Sequence, residues 1–229
     1  MTTHIDFEQA RFNMIEQQIR PWDVLDLEVL ELLSLVRRED FVPLAHKALA
    51  FVDMQIPLLG SGEEAMQQGH CMLEPKVEAR MLQDLHVRPH EKVLEVGAGS
   101  GYMAALLARR SQRVVSLELH PELVQMARTN LQRAGISNAE VRQADGSHGL
   151  PAEAPFDVIV LSGSVAEVPP ALLAQLKIGG RLAAIVGFEP VMRATFTTRT
   201  GETTFTTAQP WDTLTPRLAH FPEPSRFQF

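Results

Sequence analysis

The chain has 229 residues, of which 45% are hydrophobic and 21% charged, enough for one well-packed domain with or without an appendage. Its 21 Lys and Arg against 28 Asp and Glu give a formal net charge of −7, which argues against nucleic acid or an anionic membrane as a partner. The single cysteine excludes an intramolecular disulfide, and neither a secretory signal nor a run of about 20 apolar residues is visible, so we expect a cytoplasmic protein.

The first part of the chain has helical periodicity. Apolar residues at helical spacing predict two amphipathic helices, over 6–20 and 23–36, with Pro21 between them. Residues 53–68 show neither helical nor strand periodicity and are predicted to be a loop. A third helix is expected over 75–86, because Pro75 suits a first helical position. Residues 1–90 are therefore predicted to form an N-terminal helical layer.

From Lys92 onward, short β-rich runs alternate with helical ones. This alternation is typical of an α/β fold with a doubly wound, mostly parallel sheet, and it assigns residues 91–229 to that core within one structural domain overall. A Thr- and Phe-rich stretch over 193–207 predicts a C-terminal antiparallel hairpin, and the Pro-rich tail over 210–229 is expected to lie extended against the body. The predicted strands are 92–97, 113–118, 139–143, 156–162 and 180–187, and the predicted helices between them are 101–110, 121–134 and 169–176.

A glycine-rich turn follows the first predicted strand of the core. Gly97, Gly99 and Gly101 alternate directly after a buried strand and before a helix, which allows a tight turn and close approach of the backbone to a ligand. A dinucleotide fingerprint needs glycine where Tyr102 stands, so a nicotinamide dehydrogenase is disfavoured. With Glu95 before it, the turn resembles the first motif of the class I S-adenosylmethionine-dependent methyltransferases, which have a Rossmann-like fold.

Two carboxylates end the next two predicted strands. Glu118 lies about 20 residues beyond the glycines, where an acid can accept hydrogen bonds from both ribose hydroxyls of an adenosine. Asp145 precedes Gly146 at the end of the third strand, where an acid in such folds can bind the adenine amino group. Ligands of open α/β sheets bind outside the carboxyl ends of the strands, so these residues are expected to meet at one site.

Further motifs resemble one branch of this superfamily, the protein-L-isoaspartate (D-aspartate) O-methyltransferases. The resemblance runs from about residue 11 to 187 and implies a cytosolic repair enzyme that methylates the free α-carboxylate of isoaspartyl residues, using S-adenosyl-L-methionine. The motifs that carry it are RFNMIEQQIR at 11–20, REDFVP at 38–43, VLEVGAGSGY at 93–102, DGS at 145–147, APFD at 154–157, VPPALL at 168–173 and LKIGGRL at 176–182. The residues predicted to bind the cofactor are Glu95, Gly97, Ala98, Gly99, Ser100, Gly101, Glu118, Leu119, Asp145 and Gly146.

The segment that corresponds to the family's acceptor site departs from the family pattern. The family has Gly-Gln-Thr-Ile-Ser-Gln-Pro before a helix, whereas this chain has Cys71, Leu73 and Glu74 in place of the Thr, the Ser and the second Gln. A thiol is a weak donor, leucine cannot donate at all, and a carboxylate repels the acceptor's own carboxylate. We therefore expect a tenfold to hundredfold loss in handling an isoaspartyl carboxylate, roughly the worth of a hydrogen bond to a charged group, unless Lys76 or His70 substitutes.

Three functions remain open at this point. The first is an isoaspartyl methyltransferase whose carboxylate clamp is rebuilt from Lys76, His70 and backbone N–H groups. The second is a methyltransferase for another, possibly small-molecule nucleophile, with Glu74 or His70 as general base and Leu73 in an apolar wall. The third is a module that binds S-adenosylmethionine without catalysis. The predicted catalytic residues are accordingly Leu73, Cys71, Glu74, His70 and Lys76. The histidines lack ligand spacing, so no metal site is expected. The sequence leaves the oligomeric state open.

Overall fold

A computed structural model describes residues 6–224, and its centre is a seven-stranded sheet with strand order β5-β4-β3-β6-β7-β8-β9. The first five strands in this order run parallel, and β8 and β9 add to the edge in antiparallel fashion. The strands are β3 (Lys92–Val96), β4 (Arg113–Glu118), β5 (Ala139–Gln143), β6 (Phe156–Val165), β7 (Leu176–Phe188), β8 (Val191–Arg199) and β9 (Phe205–Thr213). The mostly parallel doubly wound sheet and its C-terminal hairpin are thus confirmed.

Helices cover the sheet as the alternating pattern predicts. Between the parallel strands lie α5 (Tyr102–Arg110), α6 (Pro121–Arg133) and the short α7 (Pro170–Leu173), which is shorter than the helix predicted over 169–176. Proline occupies the first turn of α6 and of α7, where its missing N–H costs no hydrogen bond. The α7 helix ends after one turn at Leu173, and Ala174 and Gln175 then lead into β7.

The N-terminal layer contains both predicted helices. The first, α1 (Phe7–Met14), begins at the cap residue Asp6 and continues through a π-helical turn at Ile15–Ile19. The second, α2 (Leu27–Leu35), begins at Asp26, whose side chain accepts from the Glu28 and Val29 amides. The layer and the sheet share one hydrophobic core, which runs from Met14 to Trp211, while the division at residue 90 stays a prediction.

The segment predicted to be a loop over 53–68 is partly structured. It contains β1 (Ile56–Pro57) and α3 (Gly62–Gln68), and β1 pairs with β2 (Cys71–Met72) in a small separate sheet. The Ser61 side chain caps α3, which is a local signal that the periodicity analysis missed because the helix is short and largely exposed. The predicted helix over 75–86 is confirmed as α4 (Pro75–Leu85).

Residues 210–213 of the predicted tail are extended as the end of β9, and residues 214–221 lie along the body without regular structure apart from one bridge. Pro210 lies at an irregularity of the β8–β9 pairing, between the Ala194–Trp211 and Phe196–Ala208 partners. Phe227 and Phe229, which belong to the predicted tail, lie outside the described residues. Within residues 6–224, no helix is both long and apolar enough to cross a membrane.

Candidate active site

The glycine turn lies at the carboxyl end of β3. Gly97, Gly99 and Gly101 all have positive φ angles, of 92°, 52° and 84°, so the turn needs residues without a side chain. A Cβ atom on Gly101 would lie 3.1 Å from Cα of Ala127, which shows how closely α6 approaches the turn. The Gly97 backbone is as tightly covered, because a Cβ there would lie 2.9 Å from Cδ2 of Leu218.

Glu118 ends β4 beside this turn. Its Oε2 accepts the Gly99 amide at 2.9 Å and its Oε1 accepts the His120 amide at 3.0 Å. These two backbone donors fix a carboxylate that is almost fully buried, and each oxygen keeps a further lone pair. The arrangement suits the two hydroxyls of a ribose, which the sequence spacing also predicts.

Asp145 follows β5 on the same side of the sheet. Its Oδ1 accepts the Ser147 amide at 2.9 Å and its Oδ2 lies 2.7 Å from Nδ1 of His220. Partial burial raises the pKa of Asp145, but the Ser147 amide and His220 outweigh burial and hold the pKa below its ordinary value. Asp145 is therefore an ionised acceptor. The next residue must be glycine, because a Cβ on Gly146 would collide with the Val96 side chain.

These strand ends surround a cavity of about 190 Å³. It brings together most of the residues predicted to touch a cofactor side by side with two of the residues predicted for the acceptor. The predicted residues that line it are Gly97, Gly99, Glu118, Leu119, Asp145, Gly146, His70 and Cys71. The predicted residues that do not line it are Glu95, Ala98, Ser100, Gly101, Leu73, Glu74 and Lys76.

Glu95 lies beneath the cavity rather than in its wall. Its side chain is fully buried and accepts hydrogen bonds from Ser116 Oγ at 2.6 Å and Ser162 Oγ at 2.8 Å. Burial raises the pKa of Glu95 to about 7, because the two hydroxyls compensate only part of the lost hydration. Ser162 lines the cavity, so the hydrogen bond from its hydroxyl connects Glu95 to the cavity wall.

The segment that corresponds to the family's acceptor site, residues 69–75 and here called the acceptor segment, enters the cavity only at its beginning. His70 and Cys71 face the cavity, and the His70 ring packs edge-on against the His120 ring with 4.8 Å between centroids. Burial, with the nearby Glu74 carboxylate, raises the pKa of the Cys71 thiol to about 12, so the thiol stays neutral. It lies 3.7 Å from Oε1 of Gln55, a weak hydrogen bond.

The remaining predicted acceptor residues, Leu73, Glu74 and Lys76, do not line the cavity, and their catalytic roles stay predictions. Leu73 is buried in the hydrophobic core. Glu74 accepts from Gln55 Nε2 at 3.2 Å, and burial raises its pKa. Lys76 is held by Asp53 at 2.6 Å and lies over the Trp22 ring, 4.3 Å from its centroid. Lys76 lies in the first turn of α4, which begins at Pro75, and Glu74 is the residue directly before that helix.

A buried arginine holds the acceptor segment in place. Arg38 is fully buried, forms an ion pair with Glu78 of α4, and donates through Nη2 to the Leu73 carbonyl oxygen at 2.5 Å. Its guanidinium also lies 5.1 Å from the centre of the Tyr102 ring, at the first residue of the helix that follows the glycine turn. Arg38 thus connects the acceptor segment to the cofactor turn.

The sequence analysis missed the contribution of the C-terminal strap, residues 214–221. The strap pairs with the end of β6, where the Ser164 amide donates to the Pro216 carbonyl at 2.7 Å and the Leu218 amide donates to the Ser164 carbonyl at 2.9 Å. Its residues in the cavity wall are Arg217, Leu218, Ala219 and Phe221. Only long-range contacts create this wall, so no local pattern signals it.

The cavity suits a nucleoside with a positively charged sulfur. Glu118 and Asp145 offer carboxylates at neighbouring strand ends, the glycine turn allows close approach, and Leu119 and Leu123 add apolar surface. Acids attract a sulfonium cation and accept from ribose and adenine donors. The residues present therefore fit S-adenosylmethionine.

Comparison with known proteins agrees with this geometry. A family model described as protein-L-isoaspartate(D-aspartate) O-methyltransferase matches residues 9–210. The protein-L-isoaspartate O-methyltransferase of Methanoculleus marisnigri is 42% identical over 179 residues, 78% of each chain. Its counterpart from Koribacter versatilis is 38% identical over 193 residues, covering 84% of this chain and 83% of its own.

Solved structures show the same fold. One protein-L-isoaspartate O-methyltransferase structure superimposes with a TM-score of 0.76 at 25% identity, covering 91% of this chain and 66% of its own. A Plasmodium falciparum structure, described as such an enzyme in complex with S-adenosyl-L-homocysteine, has a TM-score of 0.74 at 18% identity, with 93% of this chain and 98% of its own covered.

Proposed function

The chain belongs to the protein-L-isoaspartate(D-aspartate) O-methyltransferase family, and from that premise we propose that it methylates the free α-carboxylate of isoaspartyl residues in proteins or peptides. It is an S-adenosylmethionine-dependent methyltransferase. The family further implies action in the cytoplasm, and we adopt that as part of the proposal. The observation that carries it is the cavity in which the cofactor-type carboxylates Glu118 and Asp145 meet the beginning of the acceptor segment, His70 and Cys71.

The reaction requires no strong general acid or base from the protein. The cofactor supplies a methyl group on a positively charged sulfur, so that a carboxylate oxygen bonds to the methyl carbon while the carbon–sulfur bond breaks and its electron pair stays on sulfur. An isoaspartyl α-carboxylate is already ionised at neutral pH, so no general base is needed. What the chain must provide is alignment of the two reactants and exclusion of water.

The residues described above are placed for that task. We propose that Glu118 holds the ribose hydroxyls, that Asp145 and the Gly146 backbone hold the adenine, and that Gly97 and Gly99 lie under the amino-acid part of the cofactor. His70 and Cys71 then border the acceptor. Leu218 and Phe221 cover the cavity from the strap, and these apolar side chains limit the access of water.

The small-molecule alternative finds less support. It needs Glu74 or His70 as a general base, but Glu74 does not line the cavity and is hydrogen-bonded to Gln55. His70 does line the cavity and packs against His120 rather than against a carboxylate that would orient it. Leu73, assigned to an apolar wall in that hypothesis, packs in the core instead.

The proposal is tested by methyl transfer from isotope-labelled S-adenosylmethionine to an isoaspartyl peptide, with the aspartyl peptide of the same sequence as control. We expect label in the isoaspartyl peptide only, released as volatile methanol at alkaline pH, as a methyl ester requires. Equal labelling of both peptides, or none while S-adenosylhomocysteine binding is intact, would exclude an isoaspartyl acceptor.

A further inference from the structure

The acceptor's carboxylate needs a hydrogen-bond donor in the cavity, and the positions of the family's hydroxyls do not supply a strong one. Cys71 lines the cavity with a thiol, which is a weak donor, and Leu73 is buried in the core. A carboxylate without a donor would face the carboxylates of Glu118 and Asp145 in the same cavity, which is unfavourable. Another residue of the cavity wall must therefore hold it.

The lysine and the arginine nearest to the acceptor segment are both engaged elsewhere. Lys76 is paired with Asp53 outside the cavity wall. Arg217 is the only Lys or Arg among the described residues that line the cavity, but its guanidinium donates to the Gly187 carbonyl and pairs with Glu223, and neither of these residues lines the cavity. Neither cation is therefore placed to bind a carboxylate there.

His70 has the free donor that this carboxylate needs. Its backbone is already engaged, because its amide donates to the Ala65 carbonyl and its carbonyl oxygen accepts the Leu58 amide, both at 2.8 Å. Its ring nitrogens bond to no other residue within 6–224, and neither nitrogen is shielded from solvent. Because His70 lines the cavity, its ring is available to a ligand there. An imidazole donates N–H in both protonation states and is positively charged when protonated.

His120 fixes the place of this ring. The His120 amide donates to Oε1 of Glu118 and its carbonyl oxygen accepts the Val124 amide, both at 3.0 Å. The His70 ring packs edge-on against the His120 ring, with 4.8 Å between centroids, and both residues line the cavity. The free imidazole thus lies one ring away from the residue that accepts through the carboxylate proposed for the ribose. A carboxylate held beside that position is close to the cofactor's sulfur, because the sulfur is bonded to C5′ of the ribose.

We propose that the His70 imidazole binds the α-carboxylate of the isoaspartyl acceptor, and that His120 positions the His70 ring. The inference rests on the proposed function. One acceptor oxygen bound by a ring N–H leaves the other to attack the methyl carbon, and the imidazole takes over the role of the missing hydroxyls. The family pattern has glutamine where this chain has His70, so the resemblance does not assign this role to a histidine.

The other carboxylate that enters the cavity is the methionyl carboxylate of the cofactor. Chain position favours the acceptor, because His70 directly precedes Cys71, which stands where the family has its acceptor-site threonine. The amino-acid part of the cofactor is proposed to lie over Gly97 and Gly99. The two sources differ in a measurable way, since S-adenosylhomocysteine carries a methionyl-type carboxylate and 5′-methylthioadenosine lacks it.

The test compares His70→Phe with His90→Phe, which alters an exposed histidine outside the cavity wall. His70→Phe keeps an aromatic ring for the edge-on contact but removes the ring nitrogens. Binding of an isoaspartyl peptide to enzyme saturated with S-adenosylhomocysteine is measured by calorimetry, which needs no turnover, and KM and kcat are measured alongside. We expect His70→Phe to weaken peptide binding and raise KM about tenfold to a hundredfold, with a smaller effect on kcat, and His90→Phe to match the wild type.

Two further variants separate the roles of the two histidines. His70→Gln keeps an N–H donor at the same position and should lose less peptide affinity than His70→Phe. His120→Ala removes the ring that positions His70 and should raise KM about twofold to fivefold, yet add nothing in the His70→Phe background. Fully additive losses would show that His120 does not act through His70.

Other outcomes overturn the inference. Unchanged peptide binding in His70→Phe, or no peptide binding by the wild type, would exclude it. Weaker binding of S-adenosylhomocysteine but not of 5′-methylthioadenosine would assign the imidazole to the cofactor, and equal losses for both nucleosides and the peptide would show a damaged site. Wild-type binding of the peptide without methyl transfer would instead contradict the proposed function and leave the His70 comparison valid.

Discussion

Replacing Glu95 with glutamine should remove a pH-dependent cost to folding. Glu95 is fully buried, its partners are the uncharged hydroxyls of Ser116 and Ser162, and burial raises its pKa from 4.5 to about 7. The folded state therefore binds a proton that the unfolded state releases, and Glu95 lowers stability as the pH rises from 4.5 through 7. Glutamine resembles the protonated acid in shape, and both hydroxyls can bond to its amide.

The linkage relation gives the size of this effect. With pKa values of 4.5 unfolded and about 7 folded, Glu95 costs about 2.5 kcal/mol more at pH 8 than at pH 5. The stability of Glu95→Gln relative to the wild type should therefore improve by about that amount between the two pH values in urea unfolding. Glu167→Gln, which alters an exposed glutamate, should show no such trend. A Glu95→Gln difference that is the same at pH 5 and pH 8 would refute the reasoning.

Three further predictions concern the site and its support. Glu118→Gln should weaken S-adenosylhomocysteine binding about tenfold or more in calorimetry, because it removes the charge from a ribose acceptor; unchanged affinity would cancel that assignment. Arg38→Met should lower the free energy of unfolding in urea by about 3 to 5 kcal/mol, because it leaves the buried Glu78 carboxylate unpaired. Adding Glu78→Leu should restore part of this stability, whereas a double variant as unstable as Arg38→Met alone would argue against a stabilising ion pair. Glu74→Gln should raise kcat/KM for an isoaspartyl peptide about twofold to fivefold at pH 8 and less at pH 5, where Glu74, whose pKa is raised, is more fully protonated; equal gains at both pH values would exclude a charge effect.

The fold was largely predictable because its signals are local. The strands β3, β4 and β5 are continuous or alternating apolar runs, and proline or glycine marks the helix that follows each of the first two. The α3 helix was missed because its seven residues bury only Ala65 and show no periodicity. The extension of β9 to Thr213 was missed because Pro210 argues against a strand interior, and the structure places that proline at an irregularity on the sheet edge.

The site was only partly predictable, and distance along the chain explains the difference. Glu118 and Asp145 are placed by the strands that they end, so their positions follow from the sheet. Lys76 is paired with Asp53 and does not line the cavity, and sequence spacing does not reveal such a pairing. Arg217 enters the cavity through hydrogen bonds between its neighbours and Ser164, more than 50 residues away, and no motif reports such a contact.

Pro210 affects whether other polypeptides can pair with the edge of the sheet. The acceptors proposed for this enzyme are damaged proteins, and extended segments of such chains can add to any free sheet edge. β9 is one of the two edge strands of the sheet, opposite β5, and its residues are largely exposed. Because Pro210 has no N–H and the pairing is irregular around it, a passing strand finds no continuous row of donors and acceptors. Pro210 therefore disfavours strand addition at β9 by the same polypeptides that are proposed to bind in the active site.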